Sequence, residues 1–188
     1  MSARMRERPD RGRYFMGIAI AARERANCLG NRVGAVLVLD GRVVSTGYNG
    51  VPEAMANCDE GGCDRCANRE KYGSGKGYDV CICVHAEQNA LLSAARFGIP
   101  IQAAVLYTTM RPCFGCTKEL LQAKVRAVYY LHDWKHPDPQ LAAEYERLQA
   151  RFPDGIRKIE MQDPHAAWAV SSKDAVPQES GHTEPPPI

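Results

Sequence analysis

Nowhere in its 188 residues does the chain have a run approaching the roughly 20 consecutive apolar residues that a membrane-spanning helix needs. The start, "MSARMRERPDRGR", is basic, but no isolated apolar core of signal-peptide length follows it. Both absences make the cytoplasm the expected compartment. An excess of charge is missing too. With 24 basic and 22 acidic residues the formal net charge is +2, which gives no electrostatic case for a nucleic-acid surface and leaves small charged substrates open. The eight cysteines are therefore the feature of the composition to explain. In a small secreted chain they would read as disulfides, but a chain of this size with no export signal needs no such staples, and metal is the expectation.

The length is that of one ordinary domain with tails. Residues 1–12 are basic and lack apolar periodicity, and 171–188 are polar and proline-rich. Both are expected to be disordered, leaving 13–170 as the folded domain. Apolar residues at helical spacing predict a helix over 14–28. "VGAVLVLDGRVVSTGYNG" predicts two strands around an Asp40-Gly41 turn, an antiparallel pair. Residues 50–80 are glycine-rich and poor in apolar residues, so they are expected to lie outside the core, as a loop of a length that needs a clamp. Beyond it come a helix over 86–97, a strand over 104–109, a helix from 113 to about 124 and a strand over 127–131. "PQLAAEYERLQARF" predicts one more helix and "IRKIEM" a last strand. This alternation implies parallel strands joined by crossover helices, hence an α/β fold: a three-layer α/β/α sandwich around a mixed sheet.

Two helix starts carry the chemistry. "CVHAEQNALL" places His85 and Glu87 on the first turn of one helix, and "RPCFGC" places Cys113 and Cys116 at the start of the next. His with two Cys is a known ligand set of catalytic zinc, three protein ligands leaving a fourth position open. Helix N-termini carry unpaired N–H groups and partial positive charge, which favours the thiolates a metal requires. Glu87, two residues from a ligand, reaches the same cavity without binding the ion and is the expected proton shuttle.

His-x-Glu, followed 25 residues later by Pro-Cys-x-x-Cys, is the signature of zinc nucleobase deaminases. With "NRVGAVLVLDGRVVSTGYNG", "NCDEGGCDRC" and "LYTTMRPCFGC", residues 14 to 160 resemble the deoxycytidylate (dCMP) deaminases of the cytidine deaminase superfamily, including bacterial late-competence-protein-like members. The resemblance implies a five-stranded α/β/α sandwich and hydrolysis of dCMP to dUMP and ammonia, feeding dTMP synthesis. It further implies a homo-oligomer, often a hexamer, with dCTP and dTTP as effectors. Residue by residue, His85, Cys113 and Cys116 match the zinc ligands, Glu87 the acid/base residue, and Asn49 of "GYNG" the asparagine that contacts the sugar; as an Asn-Gly pair it equally makes turns. For the phosphate, Arg111 is preferred over Arg32 and Lys118. Tyr48, Tyr107 and Phe114 are candidates to shape the base pocket.

The other cysteines, Cys28, Cys58, Cys63, Cys66, Cys81 and Cys83, flank the glycine-rich segment, and four of them would close a second, structural zinc site. Some dCMP deaminases carry such an ion, and Cys28 and Cys58 fall where the resemblance places ligands. Cys81 and Cys83 would face opposite ways if extended, so one of the two is expected to bind. The competing activities are tRNA adenosine deamination, which the near-neutral charge disfavours, deamination of another nucleobase, and a non-enzymatic zinc protein of DNA uptake, which the presence of Glu87 disfavours.

Overall fold

The computed structural model describes residues 8–72 and 76–169. The expected disordered tail 171–188 and most of 1–12 lie outside these residues. Helix α1 spans Arg11–Arg23, starting and ending earlier than the periodicity predicts. Asp10 fixes its start, accepting a hydrogen bond from the Arg13 N–H at 2.8 Å, so residues 11 and 12 belong to the helix and not to a disordered tail.

Strands β1 (Gly34–Leu39) and β2 (Arg42–Tyr48) form the antiparallel pair around the Asp40-Gly41 turn. Both turn residues have positive φ, 50° and 73°, the conformation a two-residue hairpin requires. The chain continues through the short helices α2 (Asp64–Ala67) and α3 (Arg69–Tyr72) to α4 (Ala86–Arg96), β3 (Val105–Met110), α5 (Phe114–Gln122), β4 (Ala127–His132), α6 (Pro139–Gln149) and β5 (Ile156–Lys158). Among the described residues the strands form one mixed sheet in the order β2-β1-β3-β4-β5, with β3, β4 and β5 parallel and β1 antiparallel to both neighbours.

Because side chains alternate along a strand, β1, β3 and β4 each feed two cores. Ala35, Leu37, Leu106 and Val128 pack with Ala86, Ala90 and Leu120 of α4 and α5 on one face. Val36, Val38, Tyr107 and Leu131 pack with Phe15, Met16 and Ala19 of α1 on the other. The result is the three-layer α/β/α sandwich. No helix among the described residues is long and apolar enough to cross a membrane.

The close approach of α4 to β2 depends on Gly47. A β-carbon there would stand 2.1 Å from the Ala86 carbonyl oxygen and 2.5 Å from the Ala90 nitrogen. Gly47→Ala is therefore expected to push the first turn of α4 away from β2. The expected outcome is a loss of about 1–3 kcal/mol, the usual range for overpacking, together with weaker metal retention, because Ala86 lies between His85 and Glu87. Denaturant midpoints and bound zinc measured on the same samples check it; unchanged values for both would show that the sheet yields instead of the helix.

Candidate metal centre and active-site cavity

His85 is the N-cap of α4 and Cys113 the N-cap of α5, both with extended backbone. Each helix start is pinned from outside. Val84 and Gly50 exchange two backbone hydrogen bonds, 2.8 and 3.2 Å, tying the entry to α4 to the end of the β2 segment. The His85 N–H donates to Gln88 Oε1 at 3.0 Å, and Gln88 Nε2 donates across to Glu119 of α5 at 2.9 Å. The carbonyl of Pro112, just before α5, accepts from the Tyr145 hydroxyl at 2.7 Å and from Gln149 Nε2 at 3.2 Å. Both donors belong to α6 and are almost fully buried, so α6 acts as a clamp on the second helix start.

These constraints bring together the side chains expected from the sequence. His85 Nδ1 lies 3.4 Å from Cys113 Sγ and 3.3 Å from Cys116 Sγ. Around a tetrahedral zinc, bond lengths near 2.1 Å to nitrogen and 2.3 Å to sulfur put N and S about 3.6 Å apart. The donor set and its spacing therefore fit zinc, bound through His85 Nδ1 and the two sulfurs. The Cys116 thiol stands 3.7 Å from Glu87 Oε2. Hydrogen bonding to Cys116, with help from His85, pulls the Cys113 thiol down to about 4, whereas Cys116 is pushed well above the usual thiol range. Even without a metal, one thiolate is thus shared by the pair. Burial pushes the Glu87 carboxyl up to about 7 against the opposing pull of His85.

The centre opens into a cavity of about 610 Å³, open solvent at its mouth included. Asn49 lines it, but its amide is also a structural tie: Oδ1 accepts from the Val33 N–H at 2.7 Å and Nδ2 donates to the Asn31 carbonyl at 2.8 Å. Arg111 lines it too, with its guanidinium bonded to Gln149 (2.8 Å) and Asp133 (3.2 Å). The other expected contributors are placed elsewhere. Arg32 stacks over Trp168 and Lys118 over Phe114. Tyr107 stacks on Tyr129 in the α1-side core, and Tyr48 is exposed. The aromatic walls are instead Tyr78, edge-on to His85 at 5.4 Å, and Trp134, whose Nε1 donates to the Tyr78 hydroxyl at 3.3 Å. Arg65 and Arg69 complete the lining. Tyr78, Trp134, Arg65 and Arg69 have no spacing or cap signal in the sequence, and folding alone assembles them.

The segment over 50–80, expected outside the core, holds a core of its own. Cys28, Cys58, Cys63, Cys66 and Cys83 are buried, with Cys81 beside them. Cys81 and Cys83 do not face opposite ways: a turn at 79–80 leads through irregular chain to a bend at Cys83, with no extended strand between the two cysteines, and both sulfurs approach Cys66, at 3.6 and 3.9 Å.

The family model described as "Cytidine and deoxycytidylate deaminase zinc-binding region" matches residues 9–132. The chain is similar to the deoxycytidylate deaminase of Schizosaccharomyces pombe, 45% identical over 125 residues, covering 66% of this chain and 38% of that one. It thus spans under two fifths of that relative's length. It is also similar to the deoxycytidylate deaminase of Mycobacterium phage D29, 40% identical over 131 residues, which cover 65% of this chain and 95% of the phage protein. Among solved structures, the dCMP deaminase of cyanophage S-TIM5 in complex with dCMP and dUMP superposes with a TM-score of 0.61 at 25% identity, covering 82% of this chain and all of that one.

Proposed function

The chain belongs to the cytidine and deoxycytidylate deaminase family, and we propose that this protein hydrolyses dCMP to dUMP and ammonia, supplying the precursor of dTMP. One observation carries the reading: the buried Glu87 carboxyl stands 3.7 Å from a ligand sulfur of the His85–Cys113–Cys116 set, inside the cavity and outside the ligand set. A zinc ion held by these three residues supplies the Lewis acidity that lets water act as a nucleophile near neutral pH. Glu87 takes one proton of the attacking water and passes it to ring N3, then takes the remaining hydroxyl proton and delivers it to the amine, so that the C4–N bond breaks as the C4 carbonyl forms. Water and dCMP are consumed, and dUMP and ammonia leave. A carboxyl held near 7 by burial is suited to both halves of that transfer.

Tyr78 and Trp134 offer apolar faces to the pyrimidine. Three guanidinium groups, on Arg65, Arg69 and Arg111, share the cavity with the metal set. Arg65 donates twice to the Lys76 carbonyl and Arg111 is bonded on two sides, whereas Arg69 makes a 3.3 Å bond to Asn31. Arg69 is therefore the phosphate partner in this reading, in place of the Arg111 expected from the sequence. The oligomer and the dCTP and dTTP control implied by the resemblance belong to the same proposal.

The test is a deamination assay across dCMP, deoxycytidine, CMP, dCTP and a tRNA anticodon stem-loop. A charge-assisted phosphate contact contributes about 1.5–3 kcal/mol, so kcat/KM for dCMP is expected to exceed that for deoxycytidine by roughly ten- to a hundredfold. Equal values would remove the phosphate site. Faster turnover of the stem-loop than of dCMP would overturn the substrate and leave the zinc chemistry standing.

A further inference from the structure

Apart from the active-site triad, two groups among the described residues place metal-ligating atoms within 4.8 Å of one another. They are Cys28, Cys58, Cys66 and Cys83, and Cys63, Cys66, Cys81 and Cys83. Cys66 and Cys83 are common to both. Each group is a complete four-thiol set, and together they use all six cysteines outside the active site, none of which forms a disulfide.

The separations are those of a tetrahedral metal thiolate. Zinc–sulfur bonds near 2.3 Å set neighbouring sulfurs about 3.8 Å apart. The observed Sγ···Sγ distances are 3.5 Å for Cys28–Cys66, 3.8 Å for Cys63–Cys81, 3.6 Å for Cys66–Cys81 and 3.9 Å for Cys66–Cys83. A disulfide would need about 2.05 Å. A single ion in the first group would leave Cys63 and Cys81 as spare thiols pressed against its shell, and a single ion in the second would strand Cys28 and Cys58 in the same way.

We propose that the six cysteines bind two zinc ions as one cluster, with Cys66 and Cys83 as bridging thiolates, Cys28 and Cys58 terminal on one ion, and Cys63 and Cys81 terminal on the other. Each ion then has four sulfur ligands. Binding releases six thiol protons and leaves the cluster with a net charge of 2−. Soft thiolate sets of this kind select zinc, copper(I) or iron–sulfur chemistry. The Leu29 and Gly30 N–H groups point at Cys58 and Cys28 sulfurs, at 3.4 and 3.3 Å, and support the anionic form. The Arg65 and Arg69 guanidiniums line the same cavity as Cys28, Cys66, Cys81 and Cys83. The cluster is thus the clamp of the 50–80 segment and fixes the wall that carries Arg65, Arg69 and Tyr78.

The experiment is a metal count on the intact chain by native mass spectrometry and elemental analysis. Three zinc ions per chain are expected in the wild type, and two in Cys63→Ser, which lacks a terminal ligand of one cluster ion only. Two zinc ions in the wild type, iron in place of zinc, or an unchanged count in Cys63→Ser each overturn the two-ion cluster. If Cys63→Ser does not fold, the wild-type count alone decides. Bridging has its own readout in the cobalt(II)-reconstituted wild type. Thiolate-bridged cobalt(II) ions couple antiferromagnetically, so the low-temperature EPR signal should integrate to about one third of the bound cobalt, the uncoupled active-site ion. Full intensity would show separate sites and overturn the shared sulfurs. Both readouts are independent of dCMP turnover, so the cluster and the proposed activity fail separately.

Discussion

Under the proposed deamination, Glu87→Gln is expected to keep its fold and its metal and to turn over dCMP at least about a hundredfold more slowly than wild type, the usual scale for loss of a general acid/base. The carboxyl is almost fully buried beside the metal set but is no part of it. Glutamine fills the same volume, so the cavity does not collapse and melting should shift by no more than a few degrees. An amide can still hydrogen bond but cannot accept a proton from water and return it to the ring. Zinc content, melting temperature and kcat measured on one preparation separate this outcome from misfolding. A fully metal-loaded Glu87→Gln protein working at the wild-type rate would dismiss Glu87 as the shuttle.

The second large effect lies on the far side of the sheet and concerns stability. Arg23, fully buried at the end of α1, grips Asp163 with two hydrogen bonds of 2.8 and 2.6 Å. The same carboxylate meets His132 Nε2 at 2.5 Å and accepts from the His165 N–H at 2.9 Å. Asp163→Asn would leave the Arg23 charge buried without its counter-charge. Breaking such a pair on one side costs about 3–5 kcal/mol, which for a chain of this size is a fall in melting temperature on the order of 10 °C. A melting temperature within about 2 °C of wild type at pH 7 would show that water replaces the lost partner.

The pair also sets an acid dependence. Burial alone would raise the Asp163 carboxyl, but the bonds from Arg23 and His132 outweigh it and hold the group well below the usual carboxylate range. Between that depressed value and the unfolded value of about 3.9, the unfolded chain binds a proton that the folded chain does not. Stability therefore rises with pH through this window, is fully present above about pH 4–5, and is lost as pH falls toward the folded value. The gap between wild type and Asp163→Asn should accordingly narrow below about pH 4. A gap that stays constant down to pH 3 would assign the acid loss to other carboxylates.

The sequence by itself determined whatever depends on near neighbours along the chain. Alternation and the Asp40-Gly41 pair set the hairpin, because its turn geometry is local. Helical spacing and the Pro-Cys-x-x-Cys start set α4 and α5 with His85, Glu87, Cys113 and Cys116 on their first turns. Once two crossover helices pack on one face of a sheet, their starts meet at one edge of it. What only the tertiary structure decided involves buried polar groups, each of which needs a partner that folding alone supplies. Arg23 reads as the polar end of an amphipathic helix until a carboxylate 140 residues away enters its plane. Asn49 and Arg111 line the cavity, and the fold also engages them, with Val33 and Asn31 for the one and Gln149 and Asp133 for the other. The six cysteines are visible in the sequence, but whether Cys81 and Cys83 diverge or converge depends on the backbone between them. That backbone is irregular up to Val84, which pairs with Gly50 across the mouth of the segment, and both sulfurs lie against Cys66.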